Sequence, residues 1–128
     1  MPHFTSKVEC MEVELEILDS YMPLIERESS KGVFIKIDAE GLEFPILGGA
    51  SALLEKSHVI FLMFEYSRAW KWGGHTLKEA FHLLDTLKFK MFRVTPFGLE
   101  SLRFYTPDVD GPDYCNYFAI KGVTLVEC

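Results

Sequence analysis

The sequence predicts an α/β fold built around a mostly parallel sheet. Two short runs, Val33–Ile37 and Val59–Phe64, are almost continuously β-branched, aliphatic or aromatic, as in strands covered on both faces. Around them lie segments with apolar residues at helical spacing. Strands alternating with helices in this way form βαβ units. Both strands also stop on carboxylates: Asp38, Glu40 and Glu43 after the first, Glu65 after the second. In open α/β sheets, ligands bind beyond the carboxyl ends of the strands, and burying a core requires no acid there. The bland alternative is a solvated turn, with Glu40 and Glu43 near a helix N-terminus that favours negative charge.

Composition sets the bounds. The chain has 128 residues, 48% hydrophobic and 25% charged, which suits one globular domain over 1–128 with a real core. A net charge of −6 and the lack of any basic run argue against a nucleic-acid or anionic-membrane partner. Cys10, Cys115 and Cys128 form no CxxC pattern, and their odd number fits reduced thiols. The first residues carry no signal-peptide core, and the longest apolar run, Val59–Phe64, is far too short to span a bilayer. The expected setting is therefore soluble and cytoplasmic.

Taken in order, Val13, Leu15 and Ile17 alternate with Glu12, Glu14 and Glu16, so a half-buried strand is expected over about 11–17. Asp19 or Ser20 can cap a short helix through Tyr21, Leu24 and Ile25. Ser29–Gly32 ends it, and the strand Val33–Ile37 follows. A second helix is expected over about 43–56, with Pro45 in its first turn and a stripe of Phe44, Leu47, Ala50, Leu53 and Leu54. Gly48 and Gly49 inside it cost propensity and point to close packing. After the strand Val59–Phe64, residues 66–75 form an aromatic loop with Trp70 and Trp72. Thr76 caps a third helix whose face is Leu77, Ala80, Phe81, Leu84 and Leu87. Phe89–Thr95 reads as a strand, Pro96–Gly98 as a turn and Leu99–Tyr105 as a short β excursion. A polar loop over Pro107–Pro112 and a closing strand, Tyr117–Lys121, complete the chain.

The run Phe34-Ile35-Lys36-Ile37-Asp38-Ala39-Glu40-Gly41-Leu42-Glu43, continuing to Ile46-Leu47-Gly48-Gly49-Ala50, resembles the signature of the FkbM-type methyltransferases. Leu18-Asp19-Ser20-Tyr21 is similar to the segment found upstream in that family. Val59–Glu65, Leu87–Arg93 and Asn116–Ile120 look like its later strands. The likeness runs in order from about residue 13 to 121. It implies a three-layer, Rossmann-like class I methyltransferase sheet, mostly parallel with an antiparallel last strand. It also implies an enzyme that transfers a methyl group from S-adenosylmethionine to a hydroxyl of a sugar or other small acceptor. The family's glycine-rich cofactor loop has no counterpart: the Gly pairs Gly48-Gly49 and Gly73-Gly74 follow no suitable strand. The chain is therefore expected to be the C-terminal part of such a domain, with the edge of the Val33–Ile37 strand bare. Self-association or a missing N-terminal segment would cover that edge. The competing expectation is a non-catalytic binding or assembly module derived from a methyltransferase.

Methyl transfer to an alcohol needs a base within hydrogen-bond reach of the acceptor hydroxyl. The resemblance puts Asp38 where that group sits, as base or as orienter of the acceptor; capping the next helix is its structural alternative. Glu40, Glu43 and Glu65 are the candidates for acceptor hydroxyls, Trp70 for a stacking lid, and Asn116 for an acceptor contact at the start of the last strand. Loop aromatics more often pack back on the domain, and that is the favoured structural alternative for Trp70. Carboxylates at neighbouring strand ends can hold a hard divalent cation, but no ligand spacing specifies one, and no metal is expected.

Overall fold

The computed structural model describes residues 9–28, 31–56, 60–110 and 114–123. Five strands form one sheet: β1 Val33–Ile37, β2 Ile60–Ser67, β3 Lys90–Thr95, β4 Gly98–Leu102 and β5 Tyr114–Lys121. Their order is β1-β2-β5-β3-β4. β1 and β2 pair in parallel, whereas β5 is antiparallel to both β2 and β3, and β4 is antiparallel to β3. The sheet is thus mixed. β1, β2 and β3 share one direction, as expected of βαβ units, and the last strand runs against both its neighbours as the resemblance implies. The β excursion after Gly98 is a full hairpin partner, which adds a second reversed strand.

Helices α1 Met22–Glu28, α2 Glu43–Gly48, α3 Ser51–Glu55, α4 Ala69–Trp72 and α5 Leu77–Thr86 complete the described structure. The crossovers β1→β2 and β2→β3 travel the same way across the sheet, and right-handed crossovers made in one direction leave their helices on one face. Ile60, Leu62 and Phe64 of β2 are sealed on that face against Leu47, Leu54, Leu77 and Leu84. Strand side chains alternate between faces, so Phe61 and Met63 point the other way. There Phe118 lies between Phe61 and Phe92, with ring centroids 6.1 and 6.3 Å away, and Phe34 is exposed. No described helix belongs to the core cluster from that side. The described residues therefore build two layers, not three. The physical reason is that a second helical layer requires the crossovers between parallel strands to reverse direction, and β1→β2→β3 do not.

Three expectations about local structure change. Residues 11–17 do not form a strand; Met11, Val13, Leu15 and Ile17 are all exposed, because no strand lies beside them to complete a ladder. The second helix breaks into α2 and α3 at Gly49-Ala50. Asp19 causes the restart: its carboxylate accepts from the N–H groups of Ala52 and Leu53, each at 2.9 Å, while its own N–H donates to Gly49 O at 3.0 Å. The cap predicted for the first helix thus serves α3 instead, 33 residues further on. The polar loop after Tyr105 contains a 3-10 turn, Pro107–Asp110, and the positions of Ser29, Ser30, Val59, Pro112 and Cys128 lie outside the described residues. The third helix is as expected. Thr76 Oγ1 accepts from Glu79 N at 3.3 Å, and Glu79 returns the bond to Thr76 N at 2.7 Å, a reciprocal capping box.

Candidate functional site

The chain leaves β1 through a tight turn, Asp38–Leu42, before α2 begins. Glu40 and Gly41 there take positive φ values of 50° and 106°, a conformation that glycine tolerates and side chains resist. Glu43 holds the turn. Its carboxylate is 1% exposed and accepts from Ala39 N at 2.8 Å and from Gly41 N at 2.9 Å. A Cβ at Gly41 would lie 2.8 Å from the Ala69 Cβ, so the turn is also pressed against the start of α4. Glu43 was expected to bind acceptor hydroxyls; instead both its oxygens are occupied by backbone donors and face no solvent. Glu40 is exposed beside it.

Across the sheet, register brings the remaining acids together. Ile37 pairs with Phe64, and Glu65 pairs with Asn116. Asp38, one residue past β1, therefore neighbours Glu65, and Asn116 stands on its other side. By strand alternation all three belong to the face without helices. Lys36, on the same face, lies 3.7 Å from Asp38. Glu65 is half-buried. Burial pushes its carboxyl above the ordinary carboxylate range, and the neighbouring charges of Asp38, Glu40 and Glu43 push it further, partly opposed by Lys36.

An open cleft of about 550 Å³ begins at Glu65 and Asn116 and continues over Arg93, Thr95, Tyr114 and Cys115. It lies beyond the carboxyl ends of β2 and β3, where α/β sheets place their ligands. Arg93 is not a free cation there: its guanidinium donates to Glu100 at 2.6 and 2.9 Å and to Asp108 O at 3.4 Å. Burial pushes the Cys115 thiol up, which keeps it protonated and unreactive near neutral pH. Thr95 Oγ1 bonds to Gly98 O at 2.9 Å in the hairpin turn. Sequence reasoning missed Arg93, Thr95 and Tyr114. The signal was present in Thr95-Pro96, a turn closing a strand parallel to β1 and β2, whose end must lie on the same edge.

Trp70 is corrected as well. It is fully buried in α4 against Phe44, Phe64 and Tyr66, so it cannot stack on a ligand. Its indole Nε1 donates to Glu65 O at 3.1 Å, fixing the backbone that carries the acid. The exposed tryptophan of this segment is Trp72.

Among the described residues, no group of three or more His, Cys, Asp and Glu is placed to hold a metal ion, and no helix is long and apolar enough to cross a membrane. These residues also do not fit S-adenosylmethionine. The crossovers among the parallel strands β1, β2 and β3 keep one direction, so the described residues form no switch-point crevice between parallel strands of the kind that receives a nucleoside cofactor. The N–H groups of the β1 turn that could meet an anionic end are already taken by Glu43.

A model of the FkbM methyltransferase domain matches residues 2–94 of the chain, more than half its length. The match ends in β3, so β4 and β5, with Asn116, lie beyond it. No curated protein and no solved structure matches.

Proposed function

Because the chain belongs to the FkbM methyltransferase domain family, we propose that its row of Asp38, Glu65 and Asn116 is the acceptor side of an S-adenosylmethionine-dependent O-methyltransferase site. The single observation that carries this reading is the juxtaposition of Asp38, Glu65 and Asn116 across three adjacent strands, with Glu65 and Asn116 lining the cleft. A carboxylate there can take the proton of an acceptor hydroxyl as its oxygen becomes nucleophilic. Asp38 serves as that base or as the group that orients the hydroxyl. Glu65, whose carboxyl is raised by burial first and by Asp38 next, stands beside it as the second acid of the row. Asn116 can both donate to and accept from a neighbouring hydroxyl. Glu43 and Trp70 act behind the row, holding the turn and the strand that carry the acids.

The acceptor class follows from charge. The one arginine lining the cleft is committed to Glu100, while Glu65 lines it and Asp38 neighbours Glu65 across the sheet. An anionic acceptor would meet repulsion that Lys36 only partly offsets, so a neutral polyhydroxylated molecule such as a sugar suits the cleft. Amide-detected NMR titration with neutral methyl glycosides and polyols tests this: shifts should gather at residues 38–41, 65 and 114–116 and weaken in Asp38→Asn and Glu65→Gln. A folded chain whose amides do not respond there excludes an acceptor site.

The second reading, a non-catalytic binding or assembly module, draws on the unfitted cofactor. Calorimetric titration with S-adenosylmethionine separates the two. Heat of binding would favour a working methyltransferase; silence at millimolar cofactor, in a chain that binds glycosides, would favour the module.

A further inference from the structure

Two parts of this chain are built for a β-ladder and have no ladder partner among the described residues. One is the outer edge of β1, the first strand of the sheet, which pairs only with β2. The other is the extended segment 11–16, where Met11, Val13 and Leu15 alternate with Glu12, Glu14 and Glu16. Met11 and Leu15 are each 86% exposed and Val13 is 69% exposed, and the segment bonds to no strand. Its C-terminal end is anchored beside α2 and α3, where a Cβ at Gly49 would lie 3.2 Å from Ile17 Cγ2 and Asp19 is tied to α3.

We infer that segment 11–16 of one copy adds as a sixth strand to β1 of a second copy, with the exchange made reciprocally. The two patterns are complementary. On β1, Val33, Ile35 and Ile37 face the helical side, and Phe34 and Lys36 face the open side. A strand laid against this edge, in either direction, can place Met11, Val13 and Leu15 beside the aliphatic row and its glutamates beside Lys36. Lys36 is exposed, and among the described residues its ion-pair partner is Asp38 at 3.7 Å. Cross-strand pairs of opposite charge stabilise a ladder, whereas like charges oppose it. An exposed apolar edge strand is also a template for pairing with another chain. Pairing in trans satisfies the edge and covers the apolar side of the segment in one step, and two-fold symmetry closes the assembly at two copies.

Light scattering of the whole chain from about 10 to 200 μM, a range bracketing moderate dimer affinities, gives the first test. The expected mass is twice 14.7 kDa. Val13→Pro removes a ladder donor and Leu15→Glu places a charge on the apolar side; each should leave a monomer with unchanged circular dichroism, since both residues are exposed. Lys36→Glu should weaken the dimer about tenfold, and adding Glu12→Lys with Glu14→Lys should restore it. A wild-type chain that stays monomeric throughout, a dimer that tolerates Val13→Pro and Leu15→Glu, or a charge reversal that restores nothing would each overturn the exchange.

Discussion

The two faces of β2 are made of similar residues and live in different surroundings. Ile60, Leu62 and Phe64 are sealed under α2, α3 and α5, whereas Phe61, Met63 and Glu65 on the opposite side are half-buried. The difference is not one of hydrophobicity, since Phe61 is as apolar as Phe64. It comes from topology: crossovers in one direction bring helices to one face only. The sealed face gives the sheet its stability. The open face carries Asp38, Glu65 and Asn116, the row proposed as the acceptor side of a site. The sharpest way to break this comparison is to remove the same side chain from each. Phe64→Ala should cost about 3–5 kcal/mol, the usual loss for a fully packed aromatic, while Phe61→Ala should cost about 1–2 kcal/mol. Urea unfolding monitored by fluorescence checks both, and equal losses would mean that the open face is covered as tightly as the closed one.

The same contrast recurs at the tip of β1, between two glutamates three residues apart. Glu43 is buried and satisfies two N–H groups, and Glu40 is exposed. Glu43→Ala leaves a buried donor at Gly41 and a part-buried one at Ala39 unpaired, so a loss of about 2–3 kcal/mol is expected. Glu40→Gln should change stability by no more than about 0.5 kcal/mol. The amides of Ala39 and Gly41 should also exchange faster in the Glu43 variant, because they lose their acceptors. Unchanged exchange at those two positions would show that the turn is held by something other than Glu43.

Much of this was legible in the sequence for physical reasons that the same residues make plain. The cap at Thr76 depends on a local pairing with Glu79, and the strands at Val33 and Ile60 depend on composition over a few residues; both kinds of signal survive without tertiary context. The acids at the strand ends were legible as a group, but their division of labour was not. Glu43 and Glu40 have the same chemistry, and only the left-handed turn between them buries one and exposes the other. Asp19 was read as capping its own helix because caps are local; here it reaches across to α3, and no periodicity records that. The alternation over 11–17 is a true β pattern in search of a partner. A ladder needs two strands, and the sequence of one cannot say whether the other is present.

The smallest effect tests the electrostatics of the open face most directly. Glu65 has a carboxyl raised by burial first and by Asp38, Glu40 and Glu43 next, so its protonated form is favoured in the folded chain. A raised folded value contributes stability that is fully present below the ordinary carboxylate range and is lost as pH rises through the raised value. At pH 7 the ionised group therefore opposes folding, and Glu65→Gln should melt slightly higher than wild type, by about 0.5 kcal/mol or less. Below the ordinary range both side chains are neutral, so the advantage should vanish. Asp38→Asn removes one of the charges that raise Glu65 and should return its titration toward the ordinary range, as followed by carboxyl-detected NMR. If Glu65→Gln gains no stability at neutral pH, or keeps its gain in acid, the open face does not hold its acids in mutual repulsion.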